Sequence, residues 1–70
     1  MNISRLKDLR EDMDLKQKEI ADIIKTTQQQ YSKYELGERL IPIDKLIILA
    51  NYYNVSIDYI VGRTNTKKRL

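Results

Sequence analysis

Three consecutive glutamines, Gln28, Gln29 and Gln30, followed by Ser32 and Lys33, are the residues of this 70-residue chain with the most specific chemistry. A glutamine amide gives and accepts a hydrogen bond at once, which matches N6 and N7 of adenine on the major-groove edge of a base pair. Lys33 reaches a guanine or a phosphate in the same groove. Helix starts ordinarily favour acids, which complement the positive end of the helix dipole. This segment has none in its first turn, where an acid would repel a phosphate backbone. On a wheel of about 100° per residue counted from Gln28, Ser32 falls at about 40°, Gln29 at about 100° and Lys33 at about 140°. Tyr31 falls at about 300°, Tyr34 at about 240° and Gln30 at about 200°, so a polar face opposes an aromatic one. An amphipathic helix always shows some polar face. The choice of residues, where a merely solvated surface would more often carry Glu or Lys, assigns base reading to Gln28 and Gln29. Thr27 suits the N-cap, and Thr27 with Gln30 has capping-box spacing, so capping is the preferred role of Gln30 over base contact.

Other chemistries have little to build on. The chain has no cysteine and no histidine, which removes disulfides, thiolate metal sites, the usual zinc ligand and the usual general base. With no glycine-rich phosphate loop and two glycines in all, an enzyme is not expected, nor is a cofactor or a small-molecule ligand. No apolar run approaches the ~20 residues that cross a bilayer, and the charged start does not read as a signal peptide, so a cytoplasmic protein is expected. The net charge of +3 is carried by the end of the chain. Arg63, Lys67, Lys68 and Arg69 stand there without acids, while residues 1–62 hold nine bases against ten acids. A polyanionic partner must therefore be argued from where charges sit.

The elements that must position these residues are helical throughout, and no segment alternates long enough for a sheet. Ile3, Leu6, Leu9 and Met13 form a first stripe with Asn2 as its cap, broken at Asp12, Asp14 and Leu15. Ile20, Ala21, Ile23 and Ile24 share one side of residues 17–24. After Lys25, Thr26 and Thr27, a helix runs from Gln28 to a left-handed stop at Gly37. Pro42 suits a helix start, Ile43, Leu46, Ile47, Ala50 and Tyr53 form a further stripe, and Asn54 ends it. Ser56 caps a last short helix bearing Ile57, Ile60 and Val61, before Gly62. The expected fold is all-α, one domain over residues 1–62 with a disordered basic tail over 63–70. Two helices joined by about three residues have the spacing of a helix-turn-helix. A chain this short is expected to be of slim stability or helped by self-association.

Gln17; Glu19, Ile20 and Ala21; Thr26, Thr27, Gln28 and Gln29; Tyr34, Glu35, Leu36 and Gly37; Pro42; Leu46; Leu49 and Ala50; Val55 and Ser56; and the close from Ile60 to Gly62 stand in the order found in one family. On these residues the chain resembles the lambdoid phage repressors and Cro proteins, the XRE-like helix-turn-helix family, over about residues 3–62. The resemblance implies five helices in a lambda-repressor-like arrangement, with the helix from Gln28 lying in the major groove of double-stranded DNA. It implies base contacts from Gln28, Gln29, Ser32 and Lys33, and phosphate contacts from Gln17, Lys16, Thr27, Arg39 and Lys45, with residues 37–42 along the backbone. Arg10 and Glu35 match a pair that ties the first helix to the third. Related repressors dimerise through their C-terminal helices, which points to Ile57, Tyr59 and Val61 as a homodimer contact, with core packing as the alternative for Ile57 and Val61. The expected function is a phage, mobile-element or bacterial repressor that binds a pseudo-palindromic operator as a dimer. The alternative is an antitoxin-like protein-interaction module on the same fold. Two departures stand out. Lys25 occupies the turn position where the family has glycine, and is available to a phosphate. Lys16 stands where a Ser or Thr cap is common, with Asp14 as a substitute cap.

Overall fold

The computed structural model describes residues 4–67 and contains five helices in this order: α1 (Ser4–Asp12), α2 (Gln17–Ile23), α3 (Gln28–Leu36), α4 (Ile43–Tyr53) and α5 (Ile57–Ile60). No strand occurs among the described residues. The expected cap Asn2 and the first stripe residue Ile3 lie outside them, as do Lys68, Arg69 and Leu70.

Each helix stops by the same device. A residue with positive φ follows the last turn, at Asp14, Lys25, Gly37, Asn54 and Gly62, with φ from 55° to 81°. The next N–H then reaches back over the helix end. Leu15 N–H donates to Arg10 O, Thr26 to Ala21, Glu38 to Lys33, Val55 to Ala50 and Arg63 to Asp58, at 2.8–3.1 Å. These are Schellman closures, which satisfy carbonyls that a helix end leaves orphaned. Asp14 is thus the stop of α1 and not the cap of α2. The start of α2 is held by Glu19, whose carboxylate accepts from Lys16 N–H at 3.2 Å.

Lys25 makes the turn between α2 and α3 without glycine, at φ 58°. A left-handed conformation costs a side-chain-bearing residue about 1–2 kcal/mol, while glycine would add about 0.5–1 kcal/mol of unfolded-chain entropy. Lys25→Gly is therefore expected to stabilise the fold by about 0.5–1 kcal/mol, raising the melting temperature by about 3–6 °C. An unchanged or lower midpoint in thermal denaturation would show that the lysine is not strained there.

The core gathers Leu6 and Leu9 from α1, Ile20, Ala21 and Ile24 from α2, Tyr31 and Tyr34 from α3, Leu46, Leu49 and Ala50 from α4, and Ile60 from α5, with Ile41 and Val55. Two stripes need correction. Met13 lies one residue past the end of α1 and is half exposed. On α4 the buried set is Leu46, Leu49 and Ala50, with Tyr53 half-buried, whereas Ile43 and Ile47 face solvent. The face at 46, 49, 50 and 53 follows i, i+3, i+4, i+7, and positions 43 and 47 fall on its flank.

The basic tail is not free over its first half. Arg5 donates to Tyr59 O at 2.9 Å, to Thr64 O, and to Asn65 Oδ1 at 2.6 Å. Its guanidinium lies 4.2 Å from the centre of the Tyr59 ring. Ser56 N–H donates to Lys67 O, so residues 63–67 turn back along α5. An arginine with this many donors can close a loop that charge alone would leave solvated.

Candidate nucleic-acid interface

The face read from the sequence is assembled. Gln28, Gln29, Ser32 and Lys33 line one concave surface together with Gln17, Thr27, Leu36 and Glu38. Gln28, Gln29 and Lys33 are exposed and Ser32 is half-buried. The opposite face of α3 places Tyr31 and Tyr34 in the core, so the helix can rotate neither way without exposing an aromatic ring.

Thr27 caps α3 as expected. Its Oγ1 accepts from Gln30 N–H at 3.1 Å, which leaves the hydroxyl proton to donate outward. Gln30 does not complete the capping box. Its Nε2 donates to the Tyr34 hydroxyl at 3.3 Å, one turn on, which keeps it on the inner side of the helix and away from the reading face.

Behind that face lies a buried ion pair. Arg10 Nε donates to Glu35 Oε2 at 2.7 Å and Nη2 to Oε1 at 3.2 Å, with Glu35's side chain 3% exposed. Arg10 Nη1 also holds Leu15 O at 2.9 Å, and Gln17 Nε2 donates to Glu35 Oε1 at 3.1 Å. One carboxylate thus joins α1, the start of α2 and α3. Burial alone would raise its pKa, but hydrogen bonding from Arg10 and Gln17, beside the Tyr31 hydroxyl, outweighs it and holds Glu35 below its ordinary value. Burial first, and then the nearby Glu35 charge, push the Tyr31 hydroxyl well above its usual range. That hydroxyl sits by Glu35 without a hydrogen bond of regular geometry, and the buried Tyr53 hydroxyl has no partner among the described residues.

The expected phosphate residues divide. Lys16, Lys25 and Arg39 are exposed, at the start of α2, in the turn and in the loop after α3. Gln17 spends one amide hydrogen on Glu35 and keeps the other. Lys45 has a different partner: its Nζ donates to Ile24 O at 2.8 Å, closing the C-terminal end of α2 from the first turn of α4. The expected dimer residues also have intramolecular neighbours. Ile57 and Val61 pack partly against the core, and Tyr59 is covered by Arg5, with Lys67 Nζ at 5.9 Å from its ring centre. Leu36 and Glu38 line the surface as well; Glu38 belongs to the segment 37–42 expected along the backbone, whereas Leu36 carries no DNA role in the sequence reading. The wheel that placed Ser32 and Gln29 puts Leu36 at about 80°, in the middle of the face, and would have found it.

A short α2, a four-residue turn over 24–27, an α3 with one face in the core and one outward, and an ion pair bracing both define a lambda-repressor-like helix-turn-helix domain. A helix-turn-helix family model matches residues 6–60, and the chain belongs to that family. The uncharacterized HTH-type transcriptional regulator YobD of Bacillus subtilis (strain 168) is 40% identical over 65 residues, covering 93% of this chain and 58% of the relative. The HTH-type transcriptional regulator ImmR of the same strain is 37% identical, over 93% and 51%. A crystal structure of a transcriptional regulator from Listeria innocua superposes with a TM-score of 0.83 at 34% identity, over 89% of this chain and 58% of that one. The chain spans between half and three fifths of the length of these relatives. No helix among the described residues is long and apolar enough to cross a membrane.

Proposed function

We propose that this chain is the DNA-binding unit of a sequence-specific transcriptional repressor that binds a pseudo-palindromic operator as a homodimer. The observation that carries the reading is the acid-free first turn of α3, with Gln28 and Gln29 exposed on a concave surface beside Ser32 and Lys33. Inserted in the major groove, Gln28 and Gln29 read adenine edges, Lys33 a guanine or phosphate, and Ser32 either strand. Thr27's free hydroxyl proton, Gln17's second amide hydrogen and the charges of Lys16, Lys25 and Arg39 take phosphates on either side. Lys45 gives one ammonium hydrogen to Ile24 O and keeps two for a phosphate, so it stays in that set. The two lysines and two arginines of the tail add sequence-independent affinity. Self-association would run through the α5 end, where Ile57, Tyr59 and Val61 keep partial exposure.

Salt titration of binding to a short duplex, followed by fluorescence anisotropy, tests the phosphate assignments. The logarithm of affinity should fall linearly with that of salt concentration, and Lys25→Gly and Arg39→Ala should each reduce the slope by about 1 per protomer. An unaltered slope in both variants would place the backbone contacts elsewhere. Lys25→Gly makes the comparison sharp, because the same change is expected to stabilise the fold while weakening binding.

A further inference from the structure

We propose that Leu36 is a specificity residue that reads the methyl group of a thymine. The inference rests on α3 being the helix that enters the major groove, and deepens that reading by one base.

Leu36 ends α3 and is 69% exposed, more than Ile47, Ile48 or Tyr52. It lies on the wheel at about 80°, between Ser32 and Gln29, so it points with the reading side chains and not with the core face. It lines the same concavity as Gln28, Gln29, Ser32 and Lys33. Among those residues Leu36 alone has a wholly apolar side chain. The major-groove edges of the four base pairs offer donors and acceptors and a single apolar feature, the C5 methyl of thymine. An isobutyl group at the C-terminal end of a hydrogen-bonding face finds its matching partner there and nowhere else in the groove. Leu36 stands eight residues after Gln28, about 12 Å along the helix axis, which spans about three to four base pairs at about 3.4 Å each. The thymine is therefore placed within about three to four pairs of the adenine that Gln28 reads, the upper limit being reached if α3 runs parallel to the duplex axis.

The test replaces each thymine of a selected binding site in turn by deoxyuridine, which removes the methyl and leaves every hydrogen bond. Affinity is measured for the wild type, Leu36→Ala and Leu36→Met. One position per half-site should weaken wild-type binding about fourfold, the effect of losing one buried methyl. Leu36→Ala should be insensitive at that position alone, and Leu36→Met should keep the sensitivity. Because Leu36 is exposed, Leu36→Ala should melt with the wild type. If Leu36→Ala retains the full deoxyuridine effect everywhere, the thymine assignment is wrong while the reading of α3 stands. If Gln28→Ala and Gln29→Ala also leave every base preference intact, both fall together.

Discussion

Replacing Arg10 with alanine is expected to destabilise the domain by about 2–4 kcal/mol, the largest single-residue effect on stability outside the apolar core. Removing one partner of a buried ion pair leaves the other charge uncompensated, at about 3–5 kcal/mol, and the low end applies here because Arg10 remains partly accessible and Gln17 still donates to Glu35. For a domain of this length the melting temperature should drop by about 10 °C or more. Arg10→Met with Glu35→Met should recover part of the loss, since an apolar pair carries no stranded charge. Recovery stays incomplete because Leu15 O and the Gln17 amide lose their partners. If Arg10→Ala melted with the wild type, the pair would be a surface contact and not a brace. The same pair fixes a pH dependence. Glu35 has a lower pKa in the fold than the ordinary value of 4.5, so the unfolded chain binds the proton first as pH falls. The pair's contribution is complete above that unfolded value and is lost as pH falls through the lower folded value. Arg10→Met with Glu35→Met should flatten this acid limb of the stability profile.

Gln28→Ala and Gln29→Ala are expected to cost about 1–3 kcal/mol per half-site, a five- to 150-fold loss of affinity, on a duplex that carries the preferred site. Both side chains are exposed, so neither variant should change the melting temperature by more than a degree or two. The diagnostic feature is the pattern. On duplexes with the adenine already exchanged, variant and wild type should bind alike, because the amide has nothing left to read. A loss of equal size on every duplex would make the glutamines general backbone contacts, and base discrimination would have to come from Lys33, Ser32 or Leu36.

Much of this fold was legible because its signals are local. Helix stops at Gly37, Asn54 and Gly62 declare themselves by residue type, as do the caps Thr27 and Ser56. The polar and aromatic faces of α3 follow from 3.6-residue periodicity, and the rigid aromatic side at Tyr31 and Tyr34 fixes which face is left outward. Lys25's left-handed turn was implied only by the resemblance, which puts a glycine at that place, while its own residue type argues against it. What escaped depends on contacts distant in sequence or on small rotations of a helix. Lys45 bonds a carbonyl 21 residues away, and Arg5 closes on partners 54 to 60 positions later. No periodicity encodes such pairs. Ile43 and Ile47 sit one step off the buried line of α4, an error of phase that a wheel without tertiary contacts does not resolve. The neighbour of Tyr59 was hidden for the same reason, since the arginine that lies over its ring stands at the other end of the chain.

The most direct test of the central claim is an unbiased selection from random duplex DNA with the unmodified chain at low salt. The expected result is enrichment of a two-fold symmetric site. Its half-sites should lie about one helical turn, roughly 34 Å, apart, with adenine where the start of α3 enters the groove. Enrichment of no motif, with binding that is uniform across duplexes, would contradict sequence-specific recognition and leave α3 as the surface of a protein-interaction module.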